Sequence, residues 1–202
     1  MTLVEEIIVK PLGRVEYSAS FEAMRAFTGA RTASTPDELW VLEHSPVYTL
    51  GQGARRAPIT TTIPVLQADR GGDITYHGPG QAVVYTLVDL ARRGLRVREF
   101  VALLEQAVID LVGSRAERKK GAPGVYVDGA KIAALGIRVA RGRAYHGVAL
   151  NVDMDLTPFR AIDPCGYPGL AVTQLRELGL RDSAAAAGER LAGHLAKRLE
   201  HA

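Results

Sequence analysis

Apolar positions change period several times along the chain, and each change marks an element. From Val97 to Val112, Phe100, Val101, Leu104, Ala107, Val108 and Leu111 recur every three to four residues and Gly113 follows. That spacing predicts an amphipathic helix with a glycine stop. Leu191, His194, Leu195 and Leu199 form a second stripe, in an alanine-rich terminal helix predicted over 183–200. A ragged face of Phe21, Met24 and Phe27 predicts a third helix beginning at Ser18 or Ser20, with Ser20 as its cap. Apolar and β-branched runs predict strands over 38–43, 63–69, 82–90, 125–127, 130–139 and 144–152, and a β segment ending near Gly51. Asp128-Gly129 and Arg141-Gly142 fit two-residue hairpin turns. Residues 3–17 read as two short strands joined at Pro11-Leu12-Gly13, 155–159 as a single turn, and 173–178 as a short helix. Residues 70–81 read as a glycine-rich loop, and 115–120, with Glu117 among basic residues, as an exposed loop. Strands in consecutive runs with helices between the groups predict an α+β fold, a single domain over 1–202 with a mixed, mostly antiparallel sheet flanked by helices.

Composition narrows the classes without naming one. The 202 residues, 47% hydrophobic and 23% charged, are ample for a core and unlike a disordered or fibrous chain. No secretory signal pattern opens the sequence, and no apolar run approaches the ~18 residues of a membrane span. A cytoplasmic protein without a membrane role is expected. The single cysteine excludes an internal disulfide and a cysteine-cluster metal site. No His/Asp/Glu set has metal-ligand spacing, so neither metal nor cofactor is expected. The net charge of +3 is mild and the basic residues are scattered, which suits an acidic protein partner or equally a solvated surface, rather than nucleic acid.

The candidate chemistry starts from that cysteine. Cys165 sits in Asp163-Pro164-Cys165-Gly166-Tyr167-Pro168-Gly169, where prolines and glycines forbid a regular helix or central strand. A thiol on a stiff turn is placed like a nucleophile, but needs a partner to ionise at neutral pH. His44, His77, His146 and a lysine are the candidates. Lys131 follows the Asp128-Gly129 turn, and without a bulge the strand period puts it on the apolar face of Ala133, Leu135, Ile137 and Val139. The plainer alternatives are a small buried cysteine, a lysine that snorkels to water near a hairpin tip, and histidines that satisfy backbone groups.

Four segments in order then supply context: residues 70–81 (RGGDITYHGPGQ), 131–136 (KIAALG), 146–152 (HGVALNV) and Pro164-Cys165-Gly166, preceded by 42–51 (LEHSPVYTLG). Together they resemble the lipoyl(octanoyl) transferase family, over roughly residues 40–178. Asp73 stands where many members carry glutamine. The resemblance implies a fold similar to the biotin/lipoate protein ligase catalytic domain. It implies transfer of an octanoyl group from octanoyl-acyl carrier protein to a lysine of lipoyl domains, those of 2-oxoacid dehydrogenases and the glycine cleavage H protein. It also implies Cys165 as the acyl-bearing thiol and Lys131 as its activating partner. Arg70, Gly71, Gly72, Asp73, Ile74, Thr75, Tyr76, His77, Ala134, Leu135, Gly136, Gly147, Val148 and Ala149 would line the acyl site. Competing readings are an ATP-dependent lipoate or biotin ligase, a non-catalytic acyl-carrier-binding module, and a cysteine hydrolase.

Overall fold

The structure is a computed structural model and describes residues 7–54, 61–162 and 169–202. Ten strands and three α-helices follow in the order β1 (Ile8–Val15), α1 (Tyr17–Ala30), β2 (Glu38–His44), β3 (Val47–Leu50), β4 (Val65–Gln67), β5 (Ile74–His77), β6 (Gln81–Asp89), α2 (Val97–Val112), β7 (Ala116–Lys119), β8 (Ala122–Val127), β9 (Ala130–Ala140), β10 (Arg143–Asn151) and α3 (Ala184–Glu200). Short 3₁₀ helices cover Thr157–Ala161 and Leu175–Leu178.

Seven strands form one sheet in the order β1-β2-β6-β10-β9-β8-β7, and β4-β3-β5 form a second. Only β1–β2 and β3–β4 pair in parallel among the described ladders. The expected α+β class, with a mixed and mostly antiparallel sheet, is what the chain adopts. Both expected hairpins form: Asp128 and Gly129 have φ of 49° and 85°, Arg141 and Gly142 of 52° and 77°. Positive φ at both central positions gives the turn a twist matching that of its strands.

One face of the large sheet carries the main core. Val41, Val84, Val148, Leu150 and Ala133 meet Phe100, Leu104 and Val108 of α2 and Leu191, Leu195 and Leu199 of α3. Each fully buried Leu or Phe here contributes roughly 1.5–3 kcal/mol. Ser183 caps α3, its hydroxyl accepting the Ala186 N–H at 3.2 Å. On the opposite face α1 covers only one end, with Met24 against Trp40, Val83, Tyr85, Leu87 and Tyr145. The small sheet lies alongside, joined through Tyr17, Val47 and Ala68.

Several expectations are corrected. Residues 8–15 make one strand, not two. Pro11 and Gly13 produce a register shift within it, which keeps the ladder with β2 going where a turn was expected. Helix α1 begins at Tyr17, and Ser20 is not its cap: its hydroxyl donates to the Tyr17 carbonyl at 2.8 Å inside the first turn. The glycine-rich segment contains β5, because Ile74 to His77 pair with β3 between the glycines. Residues 116–119 form the exposed edge strand β7 rather than a loop, since β8 offers them a partner. Of 173–178, only Leu175–Leu178 are helical.

Candidate active site

The uncovered part of the second face becomes a cleft between the two sheets. Its floor is built in rows by strand register. Ala134 of β9 pairs with Ala149 of β10, which pairs with Val83 of β6; one step on, Gly136, Gly147 and Tyr85 make the next row. Small side chains at four of these six positions leave the floor open. Gly147 admits nothing larger, because a Cβ there would lie 2.2 Å from the Val84 carbonyl oxygen. The roof is the segment 70–77. Gly71 N–H donates to the Ile137 carbonyl at 3.0 Å, fixing the loop to β9. Arg70 crosses Gly136, where a Cβ would meet its Cδ at 2.8 Å. Its guanidinium donates to the Gly71 and Asp73 carbonyls and to the Thr49 carbonyl and hydroxyl, at 2.7–3.0 Å. Arg70 therefore shapes the roof from behind.

The cleft is a narrow slot with a cavity volume of about 40 Å³. It is lined by Arg70, Gly72, Asp73, Ile74, Thr75, His77, Ala134, Leu135, Gly136, Gly147, Val148 and Ala149, all named above as candidate acyl-site residues, and its surface is mostly apolar. Gly71 and Tyr76 stand outside it. Gly71 lines a neighbouring depression that shares Gly72, Asp73, Leu135 and Gly136 with the cleft. Tyr76 packs behind the roof against Tyr48 and Phe159, with ring centroids 5.4 and 5.6 Å away. Asp73 uses a carboxylate oxygen to accept the Ile74 N–H at 2.7 Å.

Four further residues line the cleft without having been singled out as acyl-site residues: Tyr17, Val83, Tyr85 and His146. Val83 and Tyr85 belong to a strand buried at every position, so no alternation marked them. His146 had a weaker case as a mid-strand histidine; its φ of 61° is a conformation that non-glycine residues seldom adopt. Its Nε2–H donates to Asp69 at 2.7 Å.

The histidines around the cleft are neutral. His44 Nδ1–H donates to the Val15 carbonyl at 2.9 Å, so its Nε2 accepts the Tyr85 hydroxyl at 2.6 Å. Burial lowers its pKa to about 4. His77 is lowered to about 3 by burial, with His44 and Arg70 adding to the effect. Gln81 donates through its amide nitrogen to Asn151, so its oxygen accepts His77 Nδ1–H at 2.7 Å. His146 is also lowered, by burial, although Asp69 pulls the other way.

Lys131 is 3% exposed. Its expected place beside Ala133 is wrong, for a physical reason. Tyr126 pairs with Lys131 while Val125 pairs with Ala133, so Ile132 is an extra residue bulged out of β9. A one-residue slip transfers a side chain to the other face. Lys131 thus shares the face of Ala134 and Gly136, the cleft face, rather than that of the core. Its Nζ donates to the Pro123 carbonyl at 3.2 Å and lies 5.2 Å from the Tyr126 ring centroid. Gly124 makes room, since a Cβ there would stand 3.0 Å from Lys131 Cε. The Lys131 backbone is also paired: its N–H donates to Ala171 at 2.8 Å and its carbonyl accepts from Thr173 at 3.0 Å. Cys165 and the rest of 163–168 lie outside the described residues. Their flanks are Ile162, buried with Tyr48, Tyr76 and Phe159, and the 171–173 segment beside Lys131.

Residues 16–196 match the lipoyl protein ligase A/B catalytic domain family model. An octanoyltransferase of Thiobacillus denitrificans is 64% identical over 179 residues, 86% of this chain and 82% of that protein. One from Dechloromonas aromatica is 56% identical over 198 residues, 96% of this chain and 97% of its own. The chain belongs to the octanoyltransferase family. Among solved structures, a lipoate-protein ligase A bound with ATP aligns with a TM-score of 0.76 at 13% identity, covering 96% of this chain and 85% of its own. A biotin protein ligase from Aquifex aeolicus gives 0.54 at 12%, covering 96% and 68%. At such identities the likeness is one of fold, and it is the fold expected. This chain thus shares a backbone plan with those two ligases. Among the described residues, no group of three or more His, Cys, Asp and Glu could hold a metal ion, and no helix is long and apolar enough to cross a membrane.

Proposed function

We propose that this chain moves an octanoyl group from octanoyl-acyl carrier protein to a lysine of lipoyl domains, through a thioester on Cys165. The observation that carries the reading is the narrow, largely apolar cleft laid along the same face of β9 as a buried lysine. Ala134, Gly136, Gly147 and Ala149 leave room for an alkyl chain, and burying it is worth up to about 0.8 kcal/mol per methylene. The neutral histidines around the cleft suit an uncharged ligand. Lys131 supplies the cation that favours the Cys165 thiolate. The thiolate forms a bond to the acyl carbonyl carbon as the carrier's C–S bond breaks, and the carrier leaves as a thiol with a proton. The acceptor lysine amine then forms the amide bond, the Cys165 C–S bond breaks, and the thiol is restored. A thioester donor already carries the activation that an adenylate would supply.

Arg70, Gly72 to Thr75, His77, Ala134 to Gly136 and Gly147 to Ala149 are the acyl-binding residues in this reading; Gly71 and Tyr76 support the roof from outside the cleft. Residues 1–202 work as one catalytic domain in the cytoplasm. The acceptors are the lipoyl domains of 2-oxoacid dehydrogenases and the glycine cleavage H protein. The net charge of +3 supports acidic protein partners. Intact mass spectrometry after mixing with octanoyl-acyl carrier protein tests the thioester. The native protein gains one octanoyl group, removable by hydroxylamine, and Cys165→Ala gains none. Wild-type transfer by Cys165→Ala would defeat the mechanism, and a strict need for ATP would favour the ligase reading.

A further inference from the structure

Strand β8 leaves β9 early. Their ladder ends at the pair Val125 and Ala133, although β9 continues to Ala140. Gly124, with φ of 134°, turns β8 away, and its N–H donates to the Glu105 carboxylate of α2 at 3.1 Å. Pro123, which by count would face Leu135, has no N–H to offer a ladder. The rest of β9 therefore has β10 on one side only. Its Arg141-Gly142 turn closes on the pair Ala140 and Arg143, so Ala140, Arg138, Gly136 and Ala134 bond to β10. The backbone groups of Leu135 and Ile137 face the side that β8 has left. The Ile137 carbonyl accepts the Gly71 N–H there at 3.0 Å, while the Ile137 N–H and both groups of Leu135 have no hydrogen-bond partner among the described residues.

The parting strands leave a groove of about 290 Å³. Ala122 and Pro123 line it from β8, Leu135 and Ile137 from β9, Gly71 from the roof and Val101 from α2. It adjoins both parts of the proposed site. Leu135 and Gly136 line the acyl cleft as well, and the Pro123 carbonyl accepts Lys131 Nζ at 3.2 Å. A ligand here must be narrow and extended, must exchange hydrogen bonds with a strand edge, and must put apolar groups against Val101 and Ala122. The open edge from Leu135 to Ile137 spans only about 7 Å, and Gly71 already holds the Ile137 carbonyl. That is too short a row for a strand of a folded partner to join. It suits a flexible arm with two amides separated by methylenes, which is the chemistry of pantetheine.

We propose that the groove between β8 and β9 seats the pantetheine arm of the thioester donor, lying along Leu135 to Ile137 as a short strand would. The sulfur end lies at Pro123 beside Lys131, the acyl group turns into the cleft, and the arm's amides bond to the Leu135 and Ile137 backbone. The proposal rests on the function inferred above and adds to it where the donor is gripped. Donor recognition is then carried by backbone groups rather than by charged side chains.

The test compares three octanoyl thioesters as donors to a lipoyl domain: those of pantetheine, of pantetheine N-methylated at both amides, and of ethanethiol. Mass spectrometry of the acceptor gives kcat/KM for each. With native protein the pantetheine ester exceeds each of the other two by about five- to ten-fold or more, the worth of one or more neutral hydrogen bonds. Val101 lines the groove and not the cleft, and Val101→Phe brings the ratio of pantetheine to ethanethiol ester towards one. Equal use of the three esters by native protein overturns the proposal, a result that needs no variant. So does a ratio unmoved by Val101→Phe, and if that variant instead raises KM for the lipoyl domain, the groove belongs to the acceptor. Native protein that uses none of the esters but modifies the lipoyl domain from octanoate and ATP defeats the proposed function instead, so the two failures are distinguishable.

Discussion

Glycines at two floor positions do different work. At Gly136 an added Cβ would press on the stem of Arg70, whose head is held by four hydrogen bonds, so the roof loop must give; at Gly147 it would press on the Val84 carbonyl, which is backbone in the neighbouring strand. Gly136→Ala is therefore expected to fold with a narrowed cleft and a raised KM for the octanoyl donor, seen in steady-state kinetics. Gly147→Ala is expected to lose about 3 kcal/mol of stability or more, seen in urea denaturation. Lys131→Ala is expected to raise the apparent pKa of Cys165 in pH-dependent alkylation, and an unchanged profile would remove the lysine from the proposed mechanism. At this scale the sequence was legible where a residue's own chemistry is unusual: a histidine among glycines, small residues in a strand, one lysine on an apolar stretch. It was not legible where position depends on pairing. The bulge at Ile132, which turns Lys131 to the cleft, is a property of β8 and β9 together. Tyr17, Val83 and Tyr85 meet the site only because α1 and β6 cross it.

Between elements, a directed series of hydrogen bonds links the two sheets. Arg70 donates to Thr49, whose hydroxyl lies 3.4 Å from His77 Nε2; His77 donates to Gln81, Gln81 to Asn151, and Asn151 to the Thr173 carbonyl, beside the Lys131 backbone. His77 and His44 are held neutral inside this arrangement, with pKa lowered to about 3 and about 4. The unfolded chain takes up those protons near pH 6.5, so it binds more protons than the native state below that pH. Stability is then lost as pH falls from about 6.5 towards 4, by up to about 1.4 kcal/mol per pH unit for each proton. Urea midpoints at pH 7.5, 6, 5 and 4 should decline accordingly, and His77→Gln should decline less steeply. The long helices α2 and α3 and both hairpins were legible because period and turn chemistry are local. Strands β5 and β7 were not, since glycine or charge masked segments whose partners hold them extended.

Across the whole molecule, Asp37 at the foot of β2 gathers distant parts. Its carboxylate accepts from Arg31 at the end of α1, from Arg92 at 2.9 Å, from Arg93 at 2.6 Å and from the Asp89 N–H at 2.8 Å; Arg93 also reaches the Leu199 carbonyl of α3. Burial alone would raise the pKa of Asp37, but the Asp89 N–H and the Arg93 and Arg31 guanidinium groups lower it overall. The stabilisation is present above the unfolded carboxyl value near 3.9 and is lost as pH falls through the lower native value. Asp37→Ala, which leaves three arginines facing a void, should cost about 3–5 kcal/mol at pH 7, with the difference from native protein shrinking below pH 4 in the same urea series. At the outer limits of the large sheet, the two open strands have a quieter consequence. β1 shifts register at Pro11 and Gly13, where proline lacks an N–H, and carries Lys10 and Arg14, and β7 is four residues long with Glu117, Arg118 and Lys119. Neither rim offers a long, flat row of free amides for another chain to zip onto, so the molecule is poorly suited to seeding fibrils of itself, even in a crowded solution.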